Sequence, residues 1–104
     1  MTNKINKLAK LIDYYDFYKL LLTKKQQQLF EFYYFEDFSL TEIATVLDIN
    51  RNSVYDILKR AEKNLLFFEE KLKLSEKNRQ LLNLISQIKE QKLQTDFFDL
   101  LKKY

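Results

Sequence analysis

Eight polar side chains crowd one short stretch: Asn50, Arg51, Asn52, Ser53, Tyr55, Lys59, Arg60 and Lys63. Arg, Asn and Ser can hydrogen-bond base edges, while Lys and Arg reach phosphate oxygens, so this set carries the chemistry of nucleic-acid contact. Asp56 and Glu62 lie in the same stretch and offset two of the four positive charges at Arg51, Lys59, Arg60 and Lys63, leaving +2. Other chemistry is scarce. The 104 residues include no Cys and no His, which excludes disulfides, thiol nucleophiles, His-based acid/base catalysis and the usual zinc and haem ligands. Gly is also absent, and phosphate-cradling Gly-rich loops with it. The carboxylate pairs Asp13/Asp16, Glu36/Asp37 and Glu69/Glu70 read as solvated faces and not as a metal-binding hydrolase site. The chain is therefore expected to be no enzyme and to hold no cofactor or metal.

The elements that must position those eight residues are all helices, because tight β-hairpins lack the Gly they need and Pro is missing too. Helix starts are legible from capping chemistry, in which a short polar side chain accepts the unpaired N–H groups of a first turn. A first helix is predicted from about Lys4 to Leu22. Thr23 with Gln26 forms a capping box that opens a helix to about Phe35, and Ser39 with Glu42 forms another that opens Leu40 to Leu47. Asn50 caps a long helix from Arg51 to about Lys73. Ser75 is read as the cap of a helix to about Lys92, and Thr95 or Asp96 as the start of a last short turn containing Phe97, Phe98 and Leu101. The aromatic clusters at 14–18 and 30–38 fall on the first two of these helices. They are expected to pack as core between an antiparallel pair and not to stack on bases.

Residues 40–60 hold a short helix, a three-residue turn and a long helix, which is the pattern of a helix-turn-helix. Two helices crossing steeply need a small residue at the crossing, supplied by Ala44. They also need apolar residues around it, and Ile43, Leu47, Ile49, Val54 and Ile57 stand at the required spacings. The turn needs one residue in the left-handed region. Asp48 stands where Gly is usual, and Asp tolerates that conformation at modest cost.

The run from Tyr14 to Lys71 resembles the YlxM-like family of small bacterial proteins. Three blocks carry the resemblance. The first is Leu21, Leu22, Thr23, Lys25 and Gln26; the second is Tyr33, Tyr34, Asp37, Ser39, Leu40, Glu42, Ile43 and Ala44; the third is Arg51, Val54, Tyr55, Asp56, Lys59 and Arg60. Asn50 and Asp48 depart from the family's common Ser and Gly. The family is similar to the fourth region of sigma factors, so the resemblance implies an all-α fold with a helix-turn-helix of the sigma region 4 or winged-helix-like type, extended by long C-terminal helices. It implies a DNA-binding regulatory protein with a part in the signal recognition particle (SRP) pathway. The alternative is an adaptor that contacts SRP protein or SRP RNA through the same scaffold.

A net charge of +3 suits an anionic partner without demanding one. No apolar run approaches the ~20 residues of a membrane span, and Met1 to Ile12 lacks the apolar stretch of a signal peptide, so a cytoplasmic protein is expected. Residues 1–74 are read as a helical domain containing the helix-turn-helix, and 75–104 as a helical extension. The stripe Leu58, Ala61, Leu65, Phe68, Leu72 steps like the a and d positions of a coiled coil. Leu81, Leu84, Ile85 and Ile88 continue a second stripe. A homodimer built through the C-terminal half is expected, with an intramolecular hairpin of the two stripes as the alternative.

Overall fold

The computed structural model describes the backbone of residues 2–103 and the side chains of 6–103. Among the described residues six α-helices follow one another: α1 (Thr2–Tyr18), α2 (Lys24–Tyr34), α3 (Leu40–Leu47), α4 (Arg51–Leu72), α5 (Leu74–Ser86) and α6 (Gln91–Lys103). No strand occurs among the described residues, so the helix-turn-helix carries no wing. No helix among them is long and apolar enough to cross a membrane. The chain divides into two compact units, one ending at Leu72 and the next beginning at Lys73.

Within the first unit, α4 passes through two apolar clusters. Its N-terminal half contributes Val54 and Leu58, which are buried with Leu29 of α2 and Ile43 of α3. Its C-terminal half contributes Ala61 and Leu65, which are buried with Leu11, Tyr15 and Tyr18 of α1, Leu22, and Phe30 of α2. The stripe read as a coiled-coil seam is therefore an internal surface from Leu58 to Leu65, with Phe68 packed partly against the same core; only Leu72 at its end is exposed. The aromatic clusters supply the core as expected. Tyr15 stacks on Phe30 at 4.3 Å between ring centroids, and Phe32 stacks on Phe38 at 5.0 Å. Such pairs contribute about 0.5–1.5 kcal/mol each beyond their burial. The rings of α1 and α2 do meet, but both helices lie principally along α4 and not as a pair closed on itself.

Three tyrosine hydroxyls then lock helix to helix. Tyr18 donates to Glu69 of α4 at 2.6 Å, Tyr15 donates to Glu31 of α2, and Tyr34 donates to Glu62 of α4. Glu69 thus does not belong to a solvated face. Each pair lets an aromatic ring enter the core while its polar tip stays satisfied.

The caps explain most boundaries. Thr23/Gln26 and Ser39/Glu42 form reciprocal capping boxes, and Asn50 Oδ1 accepts the Ser53 N–H at 2.8 Å. The first helix ends earlier than expected, at Tyr18, and a 3-10 turn covers Lys19–Leu21. Gln27 is the reason: its buried amide donates to the carbonyls of Lys19 and Leu22, satisfying that end without further helix.

In the second unit the boundaries differ more. Lys73, not Ser75, stands at the N-cap of α5, in the left-handed region (φ 55°) and with no side-chain cap, while Ser75 is buried inside the helix. The helix ends at Ser86 and not near Lys92. The expected last short turn is a full helix, α6, of 13 residues. Two forces account for it. Leu93, Phe97, Leu100 and Leu101 recur at helical spacing, which favours an amphipathic helix facing α5. The Gln94 side chain also donates to the Ile85 carbonyl at 3.0 Å, pinning α6 to the end of α5.

Candidate nucleic-acid interface

The turn between α3 and α4 is set by Asp48, whose backbone adopts φ 54°, ψ 47°. Its N–H is held by the Ala44 and Thr45 carbonyls, and the Ile49 N–H returns to Ala44 at 3.0 Å, so the chain reverses within three residues. Ile43 and Val54 are fully buried at the crossing, and Ala44, Leu47, Ile49 and Ile57 pack against them. All five apolar positions and the small residue expected of a helix-turn-helix therefore meet in one cluster. That cluster fixes which side of α4 points outward.

Arg51, Asn52, Tyr55, Lys59, Arg60 and Lys63 are exposed on that outward side, whereas Ser53 is half-buried. Asn50 is exposed but partly committed: its Oδ1 caps α4, which leaves its NH2 group as the part that can face a ligand. The first turn of α4 contains no acidic residue, so the positive end of the helix dipole reinforces Arg51 in a field that favours an anion. Further along, Lys59, Arg60 and Lys63 share one shallow hollow of about 360 Å³ with Asp56. Lys59 sits between two neighbours, 5.6 Å from the centre of the Tyr55 ring and 3.6 Å from Glu62 Oε1.

Glu62 has two roles that its position in sequence conceals. Its side chain is only 12% exposed, and one oxygen accepts the Tyr34 hydroxyl while the other faces Lys59. It therefore fastens α2 to α4 and orients Lys59, where the sequence suggested only a charge subtracting from a basic face. Burial, then the hydrogen bond to Glu62, push the Tyr34 phenol well above its ordinary range, so it stays a neutral donor. Beside it, Lys7, Leu8, Leu11, Tyr33, Tyr34, Lys59 and Glu62 line a cavity of about 410 Å³. Tyr33, Tyr34 and Lys7 were not among the expected contact residues; the sequence signal for Tyr33 was its place in an aromatic run where every neighbour also looked like core. Among the described residues, no group of three His, Cys, Asp or Glu side chains is placed to hold a metal ion.

The family profile described as "Putative helix-turn-helix protein, YlxM / p13 like" (UPF0122) matches residues 5–103. A UPF0122 protein of Caldanaerobacter subterraneus subsp. tengcongensis is 55% identical over 76 residues, which is 73% of this chain and 65% of that protein. One from a Thermoanaerobacter species is 55% identical over 75 residues, 72% of this chain and 64% of its own length. A UPF0122 protein of Listeria monocytogenes serotype 4b is 41% identical over 98 residues, covering 94% of this chain and 84% of that protein. The chain thus spans a little under two thirds of the length of the first two relatives.

Proposed function

This chain belongs to the YlxM/p13-like helix-turn-helix family, and from that premise we propose that it is a DNA-binding regulatory protein whose contact surface is the outward face of α4 over residues 50–63. The supporting observation is the division of α4 by the crossing cluster: Val54, Leu58 and Ala61 face inward, and Arg51, Asn52, Tyr55, Lys59, Arg60 and Lys63 face water. In this reading Arg51 and Asn52, at the N-terminal end, read base edges, and Lys59, Arg60 and Lys63 reach phosphates. In keeping with the family resemblance, its field of action is the SRP pathway.

A second reading has its own support. Val46 of α3 and Tyr55 of α4 are exposed apolar residues flanking the turn, and Asp56 is exposed among the basic side chains. That mixture suits an adaptor contacting an SRP GTPase, or SRP RNA, through the same scaffold. Capture of the tagged protein from its own cells, with and without nuclease treatment, separates the two. The DNA reading expects recovered DNA and loss of partners after DNase. Recovery of the same protein partners after digestion of all nucleic acid would favour the adaptor.

A further inference from the structure

We infer that the hairpin of α5 and α6 is a homodimerisation element, in which a groove between its two helices is covered by the same hairpin of a second copy. The groove, about 460 Å³ in volume, is lined entirely by apolar residues, among them Leu81, Leu84, Ile88, Phe97 and Leu100. Ile85 is the one buried hydrophobic residue within α5, and α6 has no buried residue at all although its apolar positions fall on one side. Two helices of 13 residues form a unit well below the roughly 40 residues under which a disulfide, a metal or association is usually required for stability. The chain has no Cys, and no metal-holding cluster occurs among the described residues. Association remains.

The area points to a second copy as the occupant. Leu81, Leu84, Leu93, Phe97 and Leu100 are between 41% and 61% exposed. At roughly 200 Å² per large apolar residue, they present on the order of 500 Å² of apolar surface. An ordinary interface buries about 800 Å² per partner, and in homodimers about 65% of it is apolar, which is the same quantity. A two-fold axis uses one patch twice, so a second hairpin covers the first while being covered by it, closing both grooves in a four-helix arrangement. An unlike partner would leave nothing to explain why both helices of the hairpin are apolar on the same side to the extent a dimer requires. Pairing two helix-turn-helix units would also raise the avidity of each for an extended anionic partner.

Sedimentation equilibrium of the full chain at tens of micromolar tests the inference. The expected mass is twice 12.7 kDa. Leu84→Glu and Leu100→Glu, each at an exposed position, are expected to return the mass to that of one chain with helicity retained. Leu20→Glu, at a more exposed position in the first unit, should leave the dimer intact. A wild-type chain that sediments as a monomer overturns the inference, as does a dimer unmoved by both groove substitutions. Should the groove variants lose helicity, a spin label at Asn83→Cys, an exposed position of α5 outside the groove and unambiguous in a chain without cysteine, decides the matter. Strong dipolar coupling between copies is expected, and its absence overturns the inference.

Discussion

The two units of this chain carry apolar stripes of similar strength in sequence and opposite fates in structure. In the first unit, Leu58 of α4 is buried with Leu29 of α2 and Ile43 of α3, and Ala61 and Leu65 are buried among α1 and α2, with Tyr15, Tyr18 and Phe30 closing around them. In the second, Leu81, Leu84, Phe97 and Leu100 line an open groove. Helical spacing says that one side of a helix will be covered; it does not say by what. The covering partners in the first unit are chiefly α1 and α2, both distant in sequence, and their aromatic residues are large enough to complete the core. The second unit contains only one other helix.

The largest expected contrast between the units follows from that difference. Phe30 is fully buried, and Phe30→Ala should destabilise the fold by about 3–5 kcal/mol through lost burial and an unfilled cavity. Leu100→Ala, at a residue more than half exposed, should change the stability of a single chain by less than about 1 kcal/mol. Urea unfolding of both variants at low protein concentration measures the difference, and equal losses would mean that α6 is covered within its own chain. Next in size is Ala44→Leu. Ala44 packs beside Ile43 and Val54 where α3 crosses α4, so the larger side chain must separate the helices at about 1–3 kcal/mol. An unchanged melting temperature would contradict the crossing geometry.

What was legible in the sequence was local. Thr23 with Gln26, Ser39 with Glu42, and Asn50 with Ser53 each act over three residues, and each cap forms where its residue types require. The left-handed turn at Asp48 was legible for the same reason, because Asp is one of the few residues that tolerates it. Ser75 misleads: the chain takes its left-handed turn at Lys73 instead, so the helix starts one residue before the Ser, which then lies buried in the first turn. The long-range polar pairs were illegible. Tyr18 and Glu69 are 51 positions apart, and Tyr34 and Glu62 are 28 apart. Nothing local distinguishes Glu69, which accepts a buried tyrosine, from Glu70, which is exposed. The second amphipathic helix, α6, did have a signal in Leu93, Phe97 and Leu100, but its start lacks a conspicuous cap.

Two smaller effects sharpen the contrast between local and distant determinants. At Asp48 only the backbone matters, so Asp48→Gly should be neutral or stabilising and Asp48→Val destabilising, the two separated by about 1–2 kcal/mol in thermal unfolding. At the tyrosines the determinant is distant. Burial first, then hydrogen bonding to Glu31 and Glu62, raises the phenols of Tyr15 and Tyr34 above their unfolded value of about 10. Their contribution to stability is therefore fully present below pH about 10 and is lost as the pH rises beyond it, where the unfolded phenols ionise first. Unfolding free energies should be flat between neutral pH and about 9 and then fall. Tyr34→Phe should have lower stability at neutral pH but a shallower alkaline decline; an unaltered alkaline slope would remove Tyr34 from the cause.

The proposed function turns on the helix-turn-helix face, and salt dependence of binding examines it most directly. Affinity for duplex DNA and for SRP RNA, followed by fluorescence anisotropy from low to moderate salt, should fall steeply for the wild-type chain as phosphate-bound counterions are released. Arg51→Ala should weaken binding by about 1–3 kcal/mol if it reads a base edge, and Lys59→Ala should reduce the salt slope by about one. Both variants should melt like the wild type, because both side chains are exposed. If Arg51→Ala and Lys59→Ala combined leave affinity for DNA and RNA unchanged at low salt, the outward face of α4 is not the nucleic-acid site.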